Sequence, residues 1–220
     1  MSISKRVLSS MPEFVQNIYH SYKNSIQILT WKRKGKIVPV PHAVKQEMIT
    51  KYRNKHDLRI LIETGTYLGD MVWAQRNNFD EIYSIELSKE FAEQAMKRFR
   101  KNTHIKIIQG DSGKIMTTLI KDIHQKALFW LDGHYSAGNT ARGDKDCPIL
   151  EEVKAILSSG IEHVLLIDDA RCFTGQRDYP TKEGLASFIL KSFPDSDIHV
   201  ENDSIVVELK RSITQDVQAM

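Results

Sequence analysis

This sequence of 220 residues contains only two cysteines, Cys147 and Cys172. Their positions match no metal-ligand or disulfide-framework spacing, which favours a reducing compartment. No run of about eighteen apolar residues occurs, so the sequence predicts no membrane-spanning helix. The first residues, MSISKRVLSSMPEF, lack the apolar core of a secretory signal. We therefore expect a cytoplasmic protein.

Acidic residues are scarce in the first part of the chain. Residues 1–60 contain twelve Lys and Arg but three Asp and Glu, a balance of +9, so the total of +3 leaves −6 for the remaining 160 residues. The densest basic segment is WKRKGK at 31–36. Such a segment can contact anionic lipid headgroups, a phosphorylated substrate or nucleic acid, or can simply be a solvated face. The acidic remainder argues against nucleic acid as a substrate.

Residues 12–29 carry apolar side chains at helical spacing. They are Val15, Ile18, Tyr19, Tyr22, Ile26 and Leu29. This helix is expected to pack on the rest of the chain or on a second subunit in a homodimer. Because the basic segment follows it, peripheral contact with the inner membrane face is the alternative. VPVPH at 38–42 predicts an extended linker, and a second helix is predicted over 43–55.

Strand and helix patterns alternate from residue 58 onward. Strands are predicted at 58–63, 81–86, 104–109, 127–132 and 163–168. Helices are predicted at 69–77, 89–100, 113–121 and 181–193, with another that Asp146 caps and that has Pro148 in its first turn. We therefore expect a basic helical arm (1–57), one main domain (58–212) and a tail (213–220).

Repeated strand–helix units imply an α/β fold with a mostly parallel sheet and helices on both faces. The segment DIHVENDSIVVELK adds two strands joined by a short polar turn, which makes seven strands and an antiparallel hairpin at the end. This arrangement is typical of Rossmann-like methyltransferases, whereas dinucleotide dehydrogenases usually keep the sheet parallel. Ligands of such sheets bind at the carboxyl ends of the strands.

Every strand of the parallel part ends in or next to an acid. These are Glu63, Glu86, Asp111, Asp132 and the pair Asp168–Asp169. A single acid at a strand end is unremarkable, because loops are polar. Since these strand ends share one edge of the sheet, the acids are expected to converge on one rim.

The loop after the first strand reads ETGTYLG and lacks the G-x-G-x-x-G spacing, because Tyr67 stands where many nucleotide-binding loops carry another glycine. Gly65 allows a tight turn, and Gly69 allows the following helix to pack closely on the sheet. An acid at the start of this loop disfavours pyrophosphate. A ligand that carries positive charge, such as S-adenosylmethionine, suits an acidic rim better.

ETGTYLG matches E-x-G-x-Y-x-G, and so resembles the first motif of the catechol and caffeoyl-CoA O-methyltransferase group. Three further segments, YSIELSKEFAEQAMKRF, IIQGDSGKIMTTL and FWLDGHY, continue the similarity, which ends at LLIDDA and covers about residues 58–170. The resemblance implies that Glu86 binds the ribose hydroxyls of S-adenosylmethionine and that Asp111 and Ser112 lie beside the adenine. The full set of cofactor contacts that it implies is Glu63, Gly65, Thr66, Tyr67, Gly69, Glu86, Leu87, Asp111, Ser112 and Asp132.

The same resemblance implies a divalent cation. In that group, an acid after the fourth strand and an acidic pair after the fifth hold the ion, and Asp132, Asp168 and Asp169 fall on these positions. Ligands that are all oxygen suit Mg²⁺ better than zinc. Alternatively, the acidic pair only caps a loop, and Asp132 contacts the cofactor amino group.

The sequence lacks the catalytic lysine that the catechol enzymes place three residues after the first metal acid. Tyr135 occupies that position, and His134 precedes it. His134 is a candidate general base because imidazole titrates near neutral pH, or else an additional metal ligand. We group His134, Asp132 and Tyr135 as candidate catalytic residues, and the missing lysine favours a sugar or other aliphatic hydroxyl over a catechol.

Two loops are expected to form the substrate pocket. The loop at 133–146 contributes Arg142 and the loop at 170–180 contributes Arg171, which can hold an anionic group or be surface ion-pair partners. The sequence thus predicts an S-adenosylmethionine-dependent O-methyltransferase of a small molecule or glycan. It lacks the Asn/Asp-Pro-Pro-Tyr/Phe signature of base N-methylation. The alternative is a non-catalytic S-adenosylmethionine-binding or scaffold protein that its basic helices recruit to a partner.

Overall fold

The computed structural model describes residues 11–132 and 147–212. The chain divides into two compact units, Met1–Met48 and Ile49–Met220. The predicted site residues His134, Tyr135 and Arg142 lie outside the described residues, as does the predicted helix cap Asp146. No described helix is long and apolar enough to cross a membrane.

The first unit contains helix α1, Glu13–Arg33, and the start of helix α2, His42–His56. Helix α1 ends where Gly35 and Lys36 adopt positive φ angles of 82° and 58°. Trp31 is buried against Val40 and Val44, and its indole Nε1 donates to the Ile37 carbonyl at 2.8 Å. This small cluster holds the linker back against the end of α1.

The second unit contains a seven-stranded sheet in the order β3-β2-β1-β4-β5-β7-β6. Its strands are β1 Ile60–Thr64, β2 Glu81–Glu86, β3 Ile105–Gln109, β4 Leu128–Leu131, β5 Val164–Ile167, β6 Asp197–Glu201 and β7 Ser204–Glu208. Strand β7 is antiparallel to both of its neighbours, and the other pairs are parallel. This confirms the predicted mostly parallel sheet with a final antiparallel hairpin.

Helices surround this sheet. They are α3 Asp70–Gln75, α4 Lys89–Phe99, α5 Ser112–Leu119, α6 Ile149–Ser158 and α7 Lys182–Leu190. Strands β1, β4 and β5 are buried along their whole length. The uninterrupted apolar sequences of β4 and β5 suit a sheet covered on both sides, whereas β1 ends in the buried polar residues Glu63 and Thr64. The helix after the fourth strand differs slightly from expectation, because Pro148 occupies its N-cap rather than its first turn.

The β6–β7 hairpin turns at Asn202 and Asp203, which have φ angles of 48° and 61°. Two successive residues with positive φ form the turn whose twist matches paired antiparallel strands. The hairpin places β7 against β5. It therefore brings the turn next to the loop that leaves β5.

The turn between β1 and α3 contains three residues with positive φ: Gly65 at 84°, Tyr67 at 47° and Gly69 at 74°. A Cβ atom on Gly69 would lie 2.7 Å from Cε2 of Phe99, on the last turn of α4. Glycine is therefore required here both by the backbone angle and by the close approach of α4.

We predict that Gly69→Ala lowers the free energy of unfolding by about 2–4 kcal/mol, the sum of backbone strain and a steric clash. Urea denaturation of the full chain measures this. Gly160→Ala is the matched control, since Gly160 has a φ of 69° but an added Cβ would meet only the flexible end of Arg211. That control should cost about 1 kcal/mol, and equal losses in the two variants would contradict the packing argument.

Candidate functional site

The rim of the candidate site is formed by the carboxyl ends of four adjacent strands, β2, β1, β4 and β5. Interstrand hydrogen bonds continue just beyond the strands and fix the acids there. The Asp132 amide donates to the Thr64 carbonyl at 3.3 Å, and the Asp168 amide donates to the Leu131 carbonyl at 3.0 Å. The sheet register itself therefore positions both acids.

Glu63 is buried in β1 beside Ser84 of β2. The Ser84 hydroxyl donates to its carboxylate at 2.5 Å and lies 2.6 Å from the Thr66 hydroxyl. Burial raises the pKa of Glu63 to about 8; the Ser84 hydrogen bond opposes this shift, and the nearby carboxylates of Asp132 and Glu86 add to it. Near neutral pH, this part of the rim therefore holds a proton.

Glu86 is held by backbone amides on both carboxylate oxygens. The Tyr67 amide donates to Oε2 at 2.7 Å, and the Ser88 amide donates to Oε1 at 2.8 Å. The positive φ of Tyr67 orients this amide, and its ring packs edge-on against Phe91 at 4.8 Å. Two charge-assisted hydrogen bonds fix the carboxylate at the end of β2.

Three further predicted cofactor residues are placed by local structure. Asp111 caps helix α5 and accepts from the Lys114 amide at 3.2 Å, and Ser112 is the first residue of that helix. The carbonyl of Leu87 accepts a hydrogen bond from Gln109 Nε2 at 3.0 Å. Asp111 therefore has a structural role as a helix cap in addition to its predicted position beside the adenine.

The acidic pair after β5 is linked to the β6–β7 turn. Asp169 has a φ of 54°, and its Oδ1 accepts from Arg171 Nη1 at 2.7 Å. The same Arg171 nitrogen donates to Asp203, whose other carboxylate oxygen accepts from the Arg171 amide at 3.0 Å. Arg171, predicted as a substrate contact, thus forms ion pairs with two carboxylates of the protein itself.

The predicted metal ligands Asp132, Asp168 and Asp169 follow neighbouring strands β4 and β5. Within residues 11–132 and 147–212, no group of three or more His, Cys, Asp or Glu side chains is arranged to hold a metal ion. The oxygen donors suit Mg²⁺, but the Asp169 carboxylate is already engaged by Arg171. The ion pair with Arg171 therefore counts against Asp169 as a ligand, and the metal site stays a prediction.

Glu152 is a buried acid near the rim that the sequence analysis missed. Burial raises the pKa of Glu152 to about 7, and the nearby hydroxyls of Ser112 and Thr64 oppose this rise. Its Oε1 has no hydrogen-bond partner among the described residues, and it lines a small cavity with Asp168 and Tyr179. The signal was present, because Ile149, Val153 and Ile156 place position 152 on the buried stripe of α6.

Neither cysteine is suited to nucleophilic chemistry. Cys147 is buried, and burial raises the pKa of its thiol to about 12. Burial also raises the pKa of the Cys172 thiol, and the neighbouring Asp169 carboxylate adds to this shift. Since the thiolate is the reactive form, both shifts disfavour nucleophilic chemistry at these side chains.

The described residues fit S-adenosylmethionine. A fixed carboxylate at the end of β2 suits vicinal ribose hydroxyls, which can donate to Glu86. The glycine-containing turn after β1 leaves room for a ligand to approach the backbone, and the acidic rim suits its ammonium and sulfonium groups. Residues Glu63, Gly65, Thr66, Tyr67, Gly69 and Glu86 all lie on this turn or the two strands beside it.

We predict that Glu63→Gln changes how stability depends on pH. Because the pKa of Glu63 is raised from about 4.5 to about 8 on folding, the folded protein retains a proton that the unfolded chain releases. The stability associated with this proton is fully present below about pH 4.5 and decreases as the pH rises to about 8.

Urea denaturation between pH 5 and pH 8 tests this prediction, with the pH window taken from the pKa shift of Glu63. The free energy of unfolding of Glu63→Gln, taken relative to that of the unmodified chain, should be higher at the upper end of the pH range than at the lower end. The free energy of unfolding of Glu63→Gln should still decrease somewhat as the pH rises, because the pKa of Glu152 is raised as well. Glu93→Gln, an exposed acid on α4, is the control, and parallel curves for all three proteins would disprove the assignment.

Comparison with known proteins supports the fold. No family model and no curated protein sequence matches the chain. Among solved structures, PaMTH1, a methyltransferase of Podospora anserina bound to S-adenosylhomocysteine, is 17% identical with a TM-score of 0.55, covering 96% of this chain and 99% of that chain. A putative caffeoyl-CoA O-methyltransferase from Staphylococcus aureus is 10% identical with a TM-score of 0.55, covering 90% and 98%.

A putative rRNA methylase from Clostridium thermocellum is also similar, at 10% identity and a TM-score of 0.52, covering 76% of this chain and 96% of that chain. At these identities the likeness concerns the fold and leaves the methyl acceptor open. The chain therefore has the Rossmann-like fold of the class I S-adenosylmethionine-dependent methyltransferases.

Proposed function

We propose that this protein is an S-adenosylmethionine-dependent O-methyltransferase that acts on a hydroxyl group of a small molecule or glycan. The fold and the carboxylate of Glu86 support cofactor binding. The resemblance of ETGTYLG, FWLDGHY and LLIDDA to the catechol and caffeoyl-CoA group supports oxygen as the acceptor atom. The similarity to an rRNA methylase is one of fold alone and does not favour a nucleic-acid substrate.

The fixed carboxylate of Glu86 carries this proposal. Amides from two separate segments, at Tyr67 and Ser88, hold it in one orientation. Such a preorganised acceptor binds a diol at a lower entropic cost than a mobile side chain does. The backbone of the first motif thus orients the acid through the Tyr67 amide, while the tyrosine ring packs against Phe91.

His134 is the candidate general base of the proposal. It would accept the proton of the acceptor hydroxyl as that oxygen attacks the methyl carbon, and an imidazole titrates in the right range to do so. Tyr135 and Asp132 complete the candidate catalytic group, with Asp132 at the end of β4. When bound, S-adenosylmethionine would supply the methyl group from its sulfonium, whose sulfur leaves as a neutral thioether.

Metal assistance through Asp132, Asp168 and Asp169 stays a prediction. The oxygen donors favour it, but the ion pair between Asp169 and Arg171 opposes it. No step of the proposal depends on a metal ion. Arg171 is similarly a weaker candidate for substrate binding than the sequence implied, since carboxylates already pair with it; Arg142 remains a candidate.

We predict that Glu86→Gln binds S-adenosylmethionine about ten- to a hundredfold more weakly, since a charged hydrogen-bond acceptor is replaced by a neutral one. Isothermal titration calorimetry measures this. Glu93→Gln, which changes an exposed acid on α4, should bind as the unmodified chain does. Tight binding of NAD without any response to S-adenosylmethionine would refute the proposed cofactor.

We predict that His134→Ala lowers the rate of methyl transfer by about 10²–10⁴-fold while the affinity for S-adenosylmethionine is retained, because a general base acts only on the chemical step. Transfer of labelled methyl groups to a panel of sugars and other hydroxyl compounds measures this rate. His124→Ala, at an exposed histidine, is the control.

The same assay with Mg²⁺, with EDTA and with Asp168→Ala tests the metal. Undiminished activity in EDTA and in Asp168→Ala would exclude a catalytic metal ion and leave the methyltransferase proposal intact. The alternative is a non-catalytic S-adenosylmethionine-binding or scaffold protein. It would be favoured if the chain binds the cofactor but methylates no acceptor, and if His134→Ala behaves as the unmodified chain does in both assays.

A further inference from the structure

Helix α1 of the first unit exposes a row of large apolar side chains. The row, here called the α1 stripe, consists of Phe14, Ile18, Tyr22, Ile26 and Leu29. Between 45% and 66% of each side chain's residue surface is exposed to solvent. A continuous apolar row of this kind usually marks an interaction surface, whereas single exposed apolar residues do not.

The α1 stripe has the geometry of an interfacial surface. At 100° per residue its five members fall within an arc of about 120°, and from Phe14 to Leu29 they span about 22 Å of helix. Ile37 and Val38, just past the helix, are also exposed. The stripe is thus long, narrow and mostly apolar, with the exposed Ser25 also inside the arc at about 20° from Phe14.

Basic side chains lie at the C-terminal end of the α1 stripe. On the same helical projection, Lys32 and Arg33 fall at roughly 0° and 100° from Phe14, inside or beside the apolar arc. Lys34 and Lys36 follow, so the segment 31–36 holds four cations and no acid. Apolar surface and positive charge therefore meet on one side of the helix.

This charge distribution disfavours a second copy of the chain as the partner. Parallel pairing of two α1 helices would place the two basic segments side by side. Antiparallel pairing would place each basic segment against a helix end whose sequence has one acid, Glu13. An anionic lipid surface satisfies both features, since headgroups neutralise the cations and the acyl boundary takes up the apolar stripe.

We propose that the α1 stripe and its basic end bind the surface of anionic lipid membranes. In this arrangement α1 lies in the plane of the interface, with the stripe toward the acyl chains and Lys32 and Arg33 at the headgroup phosphates. This membrane contact is independent of the catalytic proposal, because all the residues that carry it belong to the first unit.

Vesicle co-sedimentation of the full chain tests the proposal, using phosphatidylcholine with and without phosphatidylglycerol. We expect binding to the anionic vesicles that weakens with salt. Ile18→Asp should weaken binding at least about tenfold through lost apolar burial. Lys32→Glu/Arg33→Glu should weaken it at least about twentyfold, since each cation near the surface contributes about fivefold.

Matched controls change equivalent side chains away from α1. Val200→Asp alters an apolar residue of β6 that is 52% exposed, and Lys89→Glu/Lys97→Glu reverses two charges on α4. Both should bind vesicles as the unmodified chain does. Circular dichroism of every variant should retain the helical content, so that lost binding reports on the surface and not on folding.

Three outcomes would overturn the membrane proposal. The first is the absence of binding to anionic vesicles, or equal losses in the α1 variants and the controls. The second is a dimer in sedimentation velocity that Ile18→Asp dissociates, which would make the stripe a subunit interface. The third is binding of RNA in preference to vesicles, lost in Lys32→Glu/Arg33→Glu but retained in Ile18→Asp.

Discussion

The pairing of β1 between β2 and β4 is the constraint on which the rest of the structure depends. All five residues of β1 are buried, and the strand is parallel to both neighbours. Because parallel strands end at the same edge of the sheet, the residues at and just after their carboxyl ends lie on one rim. The acids at 63, 86, 132 and 168 therefore meet because of the register of the sheet.

That convergence has an energetic cost. Glu63 and Glu152 are nearly excluded from water, and their pKa values are raised because desolvation disfavours the charged carboxylate. Such buried carboxylates do not increase the stability of the domain when they are charged. Each has a lower free energy when it is protonated or paired with a ligand. Glu86 differs: two backbone amides hold its carboxylate in one orientation. The rim thus combines one carboxylate of fixed orientation with neighbours whose protonation can respond to a bound cation.

Arg171 shows how the final hairpin contributes to the site. The β6–β7 turn brings Asp203 within reach of the loop after β5, and Arg171 joins Asp203 to Asp169. The antiparallel strand β7, which is typical of this fold, therefore also supports the acidic pair through the turn that precedes it. It sets the charge around Asp169, which bears directly on whether a cation can bind there.

The sequence by itself determined the order of strands and helices, the hairpin, the rim acids and four of the five members of the α1 stripe, because each follows from periodicity or from position relative to a strand end. The predicted row included Val15 and Tyr19, which are partly buried, and left out the exposed Phe14. Tertiary structure alone decided the raised pKa of Glu63, the proximity of Glu152 to Thr64 and Ser112, and the pairing of Arg171 with Asp203. These depend on which distant segments come together and on how much water they exclude. A local pattern specifies neither, since sequence fixes the residues at a strand end but only packing fixes their surroundings.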